Sequence, residues 1–138
     1  DLIRVPAGGS RAPASADTVA RRDHVLRMQG ASLFRIAVRR VEQAVLEMLN
    51  EFGVRVDELN QVVLHQANGR ILSNVADRLG IPAERLTAVI DRYGNTSSAS
   101  LPIALDAAVR AGQVRPDDLV LLGSVGGGLT WGTGLVRW

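Results

Sequence analysis

Two side chains of this sequence, His65 and Asn95, can each donate an N–H bond from within a short polar run. His65 opens the run His65-Gln66-Ala67-Asn68, directly after the apolar residues Val62-Val63-Leu64. Asn95 lies in Tyr93-Gly94-Asn95-Thr96-Ser97-Ser98, and a third run, Gly126-Gly127-Gly128, follows another apolar stretch. Two N–H donors aimed at one oxygen stabilise an enolate or oxyanion, because they meet negative charge where it develops. Glycines admit close backbone approach and can present a further N–H. Each run also has a plainer reading: a histidine at a strand end is commonly structural, and polar loops after strands are frequent. The glycine run lacks the Gly-Lys-Ser/Thr ending of a phosphate-cradling loop, and it leads into a strand, so no helix dipole backs it. His65 has no neighbouring His or carboxylate at ligand spacing, so no metal site is expected. His24, among Arg22, Asp23 and Arg27, reads as a surface residue.

The three runs matter together only if the fold carries them to one place. Residues 2–5 suggest a short strand, and 6–17, rich in Gly, Pro, Ser and Ala, an exposed loop. The spacing of Phe34, Val38, Val41, Val45, Met48, Leu49 and Phe52 predicts a helix over 31–52, stopped by Gly53. Residues 61–65 read as a buried strand. Residues 68–79 read as a helix with Ile71, Leu72, Val75 and Leu79 inward, ended by Gly80 and Pro82. Strand 86–90, a turn-rich loop at 91–98 and helix 100–111 follow. Pro102 is tolerated in that helix's first turn, and the serines before it are capping candidates. Strand 119–123 is apolar throughout, as expected when both faces are covered, and 132–138 forms a last strand. Alternating strands and helices without a repeat imply one α/β domain over 1–138, a mixed β-sheet covered by α-helices. In open sheets of this kind sites form at the carboxyl ends of strands. All three runs are placed there.

Composition narrows the function classes. The 138 residues are 46% hydrophobic and 22% charged, an ordinary globular balance. No apolar run approaches the roughly 20 residues that span a bilayer, and the first residues do not form a signal peptide. A cytoplasmic protein with no membrane contact is expected. There is no cysteine, so disulfides, thiolate metal sites and a cysteine nucleophile within these residues are excluded. The net charge is only +2, all 16 basic residues being arginine. Nucleic-acid binding is not expected from that balance. Arg21, Arg22, Arg27, Arg35, Arg39 and Arg40 fall in one segment, either a solvated face or a docking patch for an acidic or phosphate-bearing partner.

At these motifs the sequence resembles β-ketoacyl-acyl-carrier-protein synthase III, a thiolase-fold condensing enzyme. His65-Gln66-Ala67-Asn68 with Arg70 and Ile71 resembles the family's catalytic-histidine motif. Asp91-Arg92-Tyr93-Gly94-Asn95-Thr96-Ser97 resembles its catalytic-asparagine motif, and Gly126-Gly127-Gly128-Leu129-Thr130-Trp131-Gly132 its closing glycine loop. Pro6-Ala7-Gly8-Gly9-Ser10-Arg11 and Met28-Gln29-Gly30 also match, so the resemblance runs through the whole chain in order.

The resemblance implies a thiolase-like layered half-domain, the C-terminal half of an enzyme whose N-terminal half brings the nucleophilic cysteine. It implies decarboxylative Claisen condensation of an acyl-CoA starter with malonyl-acyl-carrier-protein in fatty acid biosynthesis. It further implies a homodimer of full-length subunits and no cofactor beyond acyl-CoA as substrate. His65 Nε2 and Asn95 Nδ2 would bind the malonyl thioester carbonyl, and the backbone near Gly127 would serve the oxyanion hole. Met28, Gly30, Phe34, Ala67 and Asn68 match positions near the pantetheine tunnel. Arg35 and Arg70 match positions that meet CoA phosphate or the carrier protein. Gly69 stands where a larger apolar residue is usual, and Ser124-Val125 where an aromatic residue often precedes the glycines. These departures leave room for a polyketide-type acyltransferase. A non-catalytic ketosynthase-like partner subunit and a phosphate-binding α/β module are the other readings.

Overall fold

The structure is a computed structural model and describes residues 2–138. Its elements in chain order are β1 (Ile3–Arg4), α1 (Ala16–Ala20), β2 (Arg27–Met28), α2 (Gly30–Glu51), β3 (Gln61–Leu64), α3 (Gly69–Leu79), β4 (Leu86–Thr87), α4 (Ile90–Tyr93), α5 (Ser100–Arg110), β5 (Leu119–Gly126) and β6 (Thr130–Arg137). Contacts divide the chain into two units, one ending at Ile36 and the other Ala37–Trp138, so the boundary falls inside α2.

In the first unit β1 and β2 pair antiparallel, with Ile3 opposite Met28 and Arg4 opposite Arg27. Helix α1 starts at a reciprocal cap: Thr18 N–H donates to Ser15 Oγ at 3.2 Å, and Ser15 N–H to Thr18 Oγ1 at 2.8 Å. Neither α1 nor β2 is foreseen by hydrophobic periodicity, because five and two residues are too short to show a period. The loop predicted over 6–17 therefore gives way to helix at Ala16.

The second unit holds a four-stranded sheet in the order β4-β3-β5-β6. β3 runs parallel to β4 and β5, while β5 and β6 form an antiparallel hairpin. The expected mixed sheet covered by helices is what forms. From β3 the chain passes through α3 to β4 on one side, then through α5 back across to β5 on the other. Crossovers of one hand made in opposite directions put their helices on opposite faces. Side chains alternate accordingly along the strands. Val63 and Val120 form a buried cluster with Val89, Val114 and α5's Ala104 and Ala108. On the other face Leu64 meets Val41 of α2 and Leu72 of α3 around a small apolar hollow.

Two further contacts close that face. Arg78 Nε lies 2.7 Å from Glu42 Oε2, tying α3 to α2, and Thr133 Oγ1 donates to the Ala44 carbonyl at 3.4 Å. Each fully buried valine, such as Val45 or Val75, contributes about 1.5–3 kcal/mol through removal from water. Two glycines are required by geometry. Gly80 closes α3 in the left-handed region at φ 67°. At Gly123 a Cβ would lie 2.7 Å from Leu64 Cδ2, so any larger residue there would require that packed side chain to shift.

Several expectations are corrected. β4 ends at Thr87 rather than Ile90, and 90–93 form a helical turn rather than strand and loop. The Val89 N–H is taken by a buried side chain, Gln66, instead of a neighbouring strand. Phe52 lies beyond α2 and is 64% exposed, outside the core stripe predicted for it. No serine caps α5: a 3-10 turn at Ser97–Ala99 leads directly into it, so its N-cap is Ala99 without a side-chain bond. β5 runs on to Gly126 and β6 begins at Thr130, which reduces the glycine loop to 127–129.

Candidate active site

His65 follows β3, where its N–H still donates to the Gly123 carbonyl at 2.8 Å, so the sheet itself fixes its backbone. The side chain is partly buried and lines the hollow with Leu64, Ile71, Ser124 and Val125. Its Nδ1 contacts Ser100 Oγ at the start of α5. Burial alone lowers the imidazole pKa below its ordinary 6.5, because the charged form loses hydration that nothing nearby replaces. A neutral imidazole is the state that can donate from one nitrogen while accepting at the other.

The next residue, Gln66, is 1% exposed and fully engaged. Its Nε2 donates to the Leu64 carbonyl at 2.8 Å and the Thr87 carbonyl at 3.2 Å, and its Oε1 accepts the Val89 N–H at 2.9 Å. Its own backbone N–H donates to Ser100 Oγ at 3.1 Å. One side chain thus joins the ends of β3 and β4 and sets the direction in which the chain leaves toward Asn95. Asn95 is exposed; its Nδ2 lies 3.4 Å from the Ala67 carbonyl, and its Oδ1 accepts the Ser97 N–H at 2.9 Å. That second bond orients the amide, leaving Nδ2 as the donor beside the histidine run. Among the described residues, Thr96 Oγ1 is a buried side-chain oxygen without a hydrogen-bond partner.

The profile of the family described as 3-Oxoacyl-[acyl-carrier-protein (ACP)] synthase III C terminal matches residues 49–138. The chain belongs to this synthase III family. Among curated relatives it is 42% identical over 137 residues to the beta-ketoacyl-[acyl-carrier-protein] synthase III of Desulfitobacterium hafniense, covering 99% of this chain and 41% of that protein. It is 46% identical over 136 residues to the enzyme of that name from Symbiobacterium thermophilum, covering 99% of this chain and 41% of that protein. The chain therefore spans about two fifths of the relatives it matches. Among solved structures, the 3-oxoacyl-(acyl carrier protein) synthase III of Pseudomonas aeruginosa PAO1 superposes with a TM-score of 0.86 at 37% identity, over 100% of this chain and 40% of that one. The Aquifex aeolicus VF5 synthase III gives 0.81 at 46% identity, over 83% of this chain and 37% of that one. The thiolase-like layered half-domain expected from the synthase III motifs is the fold found.

Within the second unit Asn95 reaches the histidine run at the Ala67 carbonyl, and Asn68 lies next in chain. Asn68 also caps α3, its Oδ1 accepting the Arg70 N–H at 2.8 Å. Arg70 is exposed on the first turn of that helix. The glycine strand reaches His65 through Ser124 and Val125. Gly127 itself sits in the hairpin turn, its carbonyl accepting from Thr130 Oγ1 at 3.2 Å.

Met28, Gly30, Phe34 and Arg35 all belong to the first unit. Met28 is 58% exposed on β2, Gly30 opens α2, and Arg35 Nη2 donates to Ser32 Oγ at 3.4 Å. The basic segment is partly consumed internally. Asp23 pairs with Arg21 at 3.0 Å and Arg27 at 2.7 Å. In the second unit Arg40 lies over the Trp131 ring, 4.8 Å from its centre.

Sequence reasoning missed Gln66 as the strand-end bridge and Ser100 as the partner of His65. Ser100 lies 35 positions from His65, so no spacing rule links them. For Gln66 the signal was available: a glutamine between two apolar strands must satisfy its amide once buried.

Proposed function

We propose that these residues form the enolate-stabilising part of a 3-oxoacyl-acyl-carrier-protein synthase III. The observation that carries this reading is at the end of β3: a partly buried His65 with Nδ1 already engaged and its pKa lowered by burial, and an Asn95 amide, held by Ser97, that reaches the same polar run at the Ala67 carbonyl. Acyl-CoA first acylates a cysteine, which must come from outside these 138 residues because they hold none. Malonyl-acyl-carrier-protein then binds. His65 Nε2–H and Asn95 Nδ2–H donate to its thioester carbonyl oxygen as carbon dioxide leaves. The electron pair of the broken C–C bond passes into the enolate, and its carbon attacks the acyl thioester. The cysteine thiolate departs, and the backbone near Gly127 serves the tetrahedral oxyanion. Two preorganised donors at that oxygen lower the barrier because they need no reorientation as charge forms.

Ala67 and Asn68 are assigned to pantetheine, and Arg70 to a CoA phosphate or the acidic carrier protein, where a guanidinium matches the acceptor geometry. Met28, Gly30, Phe34 and Arg35 carry the corresponding assignments in the first unit. The working enzyme is a cytoplasmic homodimer in fatty acid biosynthesis that needs no cofactor. The test is condensation of acyl-CoA with malonyl-acyl-carrier-protein by the full-length protein that carries this sequence. His65→Ala is expected to reduce turnover by roughly 10²–10³-fold. Unchanged turnover in that variant, or no condensation by the unaltered protein, would refute the assignment.

A further inference from the structure

We propose that the Ser100 hydroxyl donates to His65 Nδ1 and holds the ring in the tautomer whose Nε2 carries the proton. The inference deepens the proposed function and rests on His65 acting there as a donor.

Ser100 is 1% exposed, so its hydroxyl must find its partners inside the protein. Two groups touch Oγ: the Gln66 backbone N–H at 3.1 Å and His65 Nδ1. A hydroxyl has one proton to give and two lone pairs to receive. The amide can only donate, so it occupies a lone pair. The hydroxyl proton then has Nδ1 as its acceptor among the contacts of Ser100. Were Nδ1 protonated, Oγ would receive two donors and its own proton would be left without an acceptor in a dry site. With Nδ1 accepting, a neutral imidazole carries its proton on Nε2. Burial disfavours a second ring proton and so keeps the ring neutral.

Ser100 can impose this choice because it is rigidly placed. It is the first residue of α5, and that helix is anchored four and eight residues later by Ala104 and Ala108, both fully buried in the core. The amide bond from Gln66 fixes Oγ from the β3 side. Ser100 is thus a positioning residue, acting on substrate only through His65. The same atom that caps a strand-end amide selects which ring nitrogen is the donor.

Nitrogen-15 NMR of histidine rings in the full-length protein, with His65→Gln to assign the signal, reads the tautomer directly. At neutral pH His65 is expected to show a protonated Nε2 and a bare Nδ1. Ser100→Ala is expected to mix the two tautomers and lower kcat of condensation about ten- to a hundredfold with little change in KM, the range seen when the partner orienting a metal-bound histidine is removed. Ser100→Thr, which keeps the hydroxyl, is expected to restore both the spectrum and most of the turnover. A proton on Nδ1 in the unaltered protein overturns the proposal, as does an unchanged ring spectrum in Ser100→Ala. If the alanine variant does not fold, the unaltered and threonine spectra decide. Absent condensation with an Nε2–H ring would refute the proposed function and leave the tautomer assignment standing.

Discussion

Replacing Gln66 by leucine keeps the side-chain volume and removes three hydrogen bonds at the ends of β3 and β4. The Val89 N–H loses Oε1 at 2.9 Å, and the Leu64 and Thr87 carbonyls lose Nε2 at 2.8 and 3.2 Å. Gln66 is 1% exposed and Val89 8%, so water cannot readily take over these bonds. A buried group left unsatisfied costs about 1–3 kcal/mol. The amide N–H stands at the upper end, because it has one proton and one partner, while carbonyls keep a second lone pair. The sum is about 2–5 kcal/mol, a large share of the roughly 5–15 kcal/mol that stabilises a typical domain.

Urea unfolding followed by circular dichroism measures the loss, and hydrogen exchange at Val89 locates it. Gln66→Glu sharpens the test. A carboxylate facing two carbonyls cannot donate, whereas a protonated carboxyl can donate once. Its stability is therefore expected to recover as pH falls, opposite in sign to a simple loss of packing. A Gln66→Leu protein within about 0.5 kcal/mol of the original, with unchanged Val89 exchange, would refute the account of how the β4 exit is held.

Two further outcomes are expected. Gly123→Ala places a Cβ 2.7 Å from Leu64 Cδ2; because Leu64 is 3% exposed and packed, the overpacking is expected to cost about 1–3 kcal/mol in denaturant midpoint, and Leu64→Ala in the same chain should relieve the clash. His65 also makes stability pH-dependent. Its folded pKa is lowered from 6.5 by burial, so the unfolded chain takes up the proton first as pH falls. The stability tied to the neutral ring is present above 6.5 and is lost as pH drops through the folded value. Unfolding free energies of the original and His65→Gln proteins should therefore diverge in slope below about pH 6.5 and run parallel above it.

The sequence was most legible where one physical rule acted over many residues. The apolar spacing from Val38 to Leu49 gave α2, and the uninterrupted run Val62-Val63-Leu64 gave β3. It was least legible where a single distant contact decided the outcome. Leu86 to Ile90 is mostly strand-like, yet the strand stops at Thr87 and the Val89 N–H goes to the Gln66 side chain. The serines before α5, Ser97 and Ser98, looked like caps, but they form a 3-10 turn that runs into the helix without a side-chain cap, and the serine hydroxyl that meets the histidine run is that of Ser100, inside the helix. His65 and Asn95 stood out in the sequence as candidates by type and order. Their proximity through Ala67, and the partner that governs the ring, required the fold.

The two crossovers around β3 have a consequence for where chemistry can occur on this sheet. The chain leaves β3 toward one face and leaves its neighbour β4 toward the other. The gap between those two carboxyl ends is the topological switch point at which open α/β sheets hold their ligands. Here the floor of that gap is sealed by Gln66, bonded to both strands. The residue that follows the end of β3 therefore stands beside a switch point whose strand ends are tied by a buried side chain. The winding order of the strands selects the address, and it places the residue after β3 there whatever its side chain.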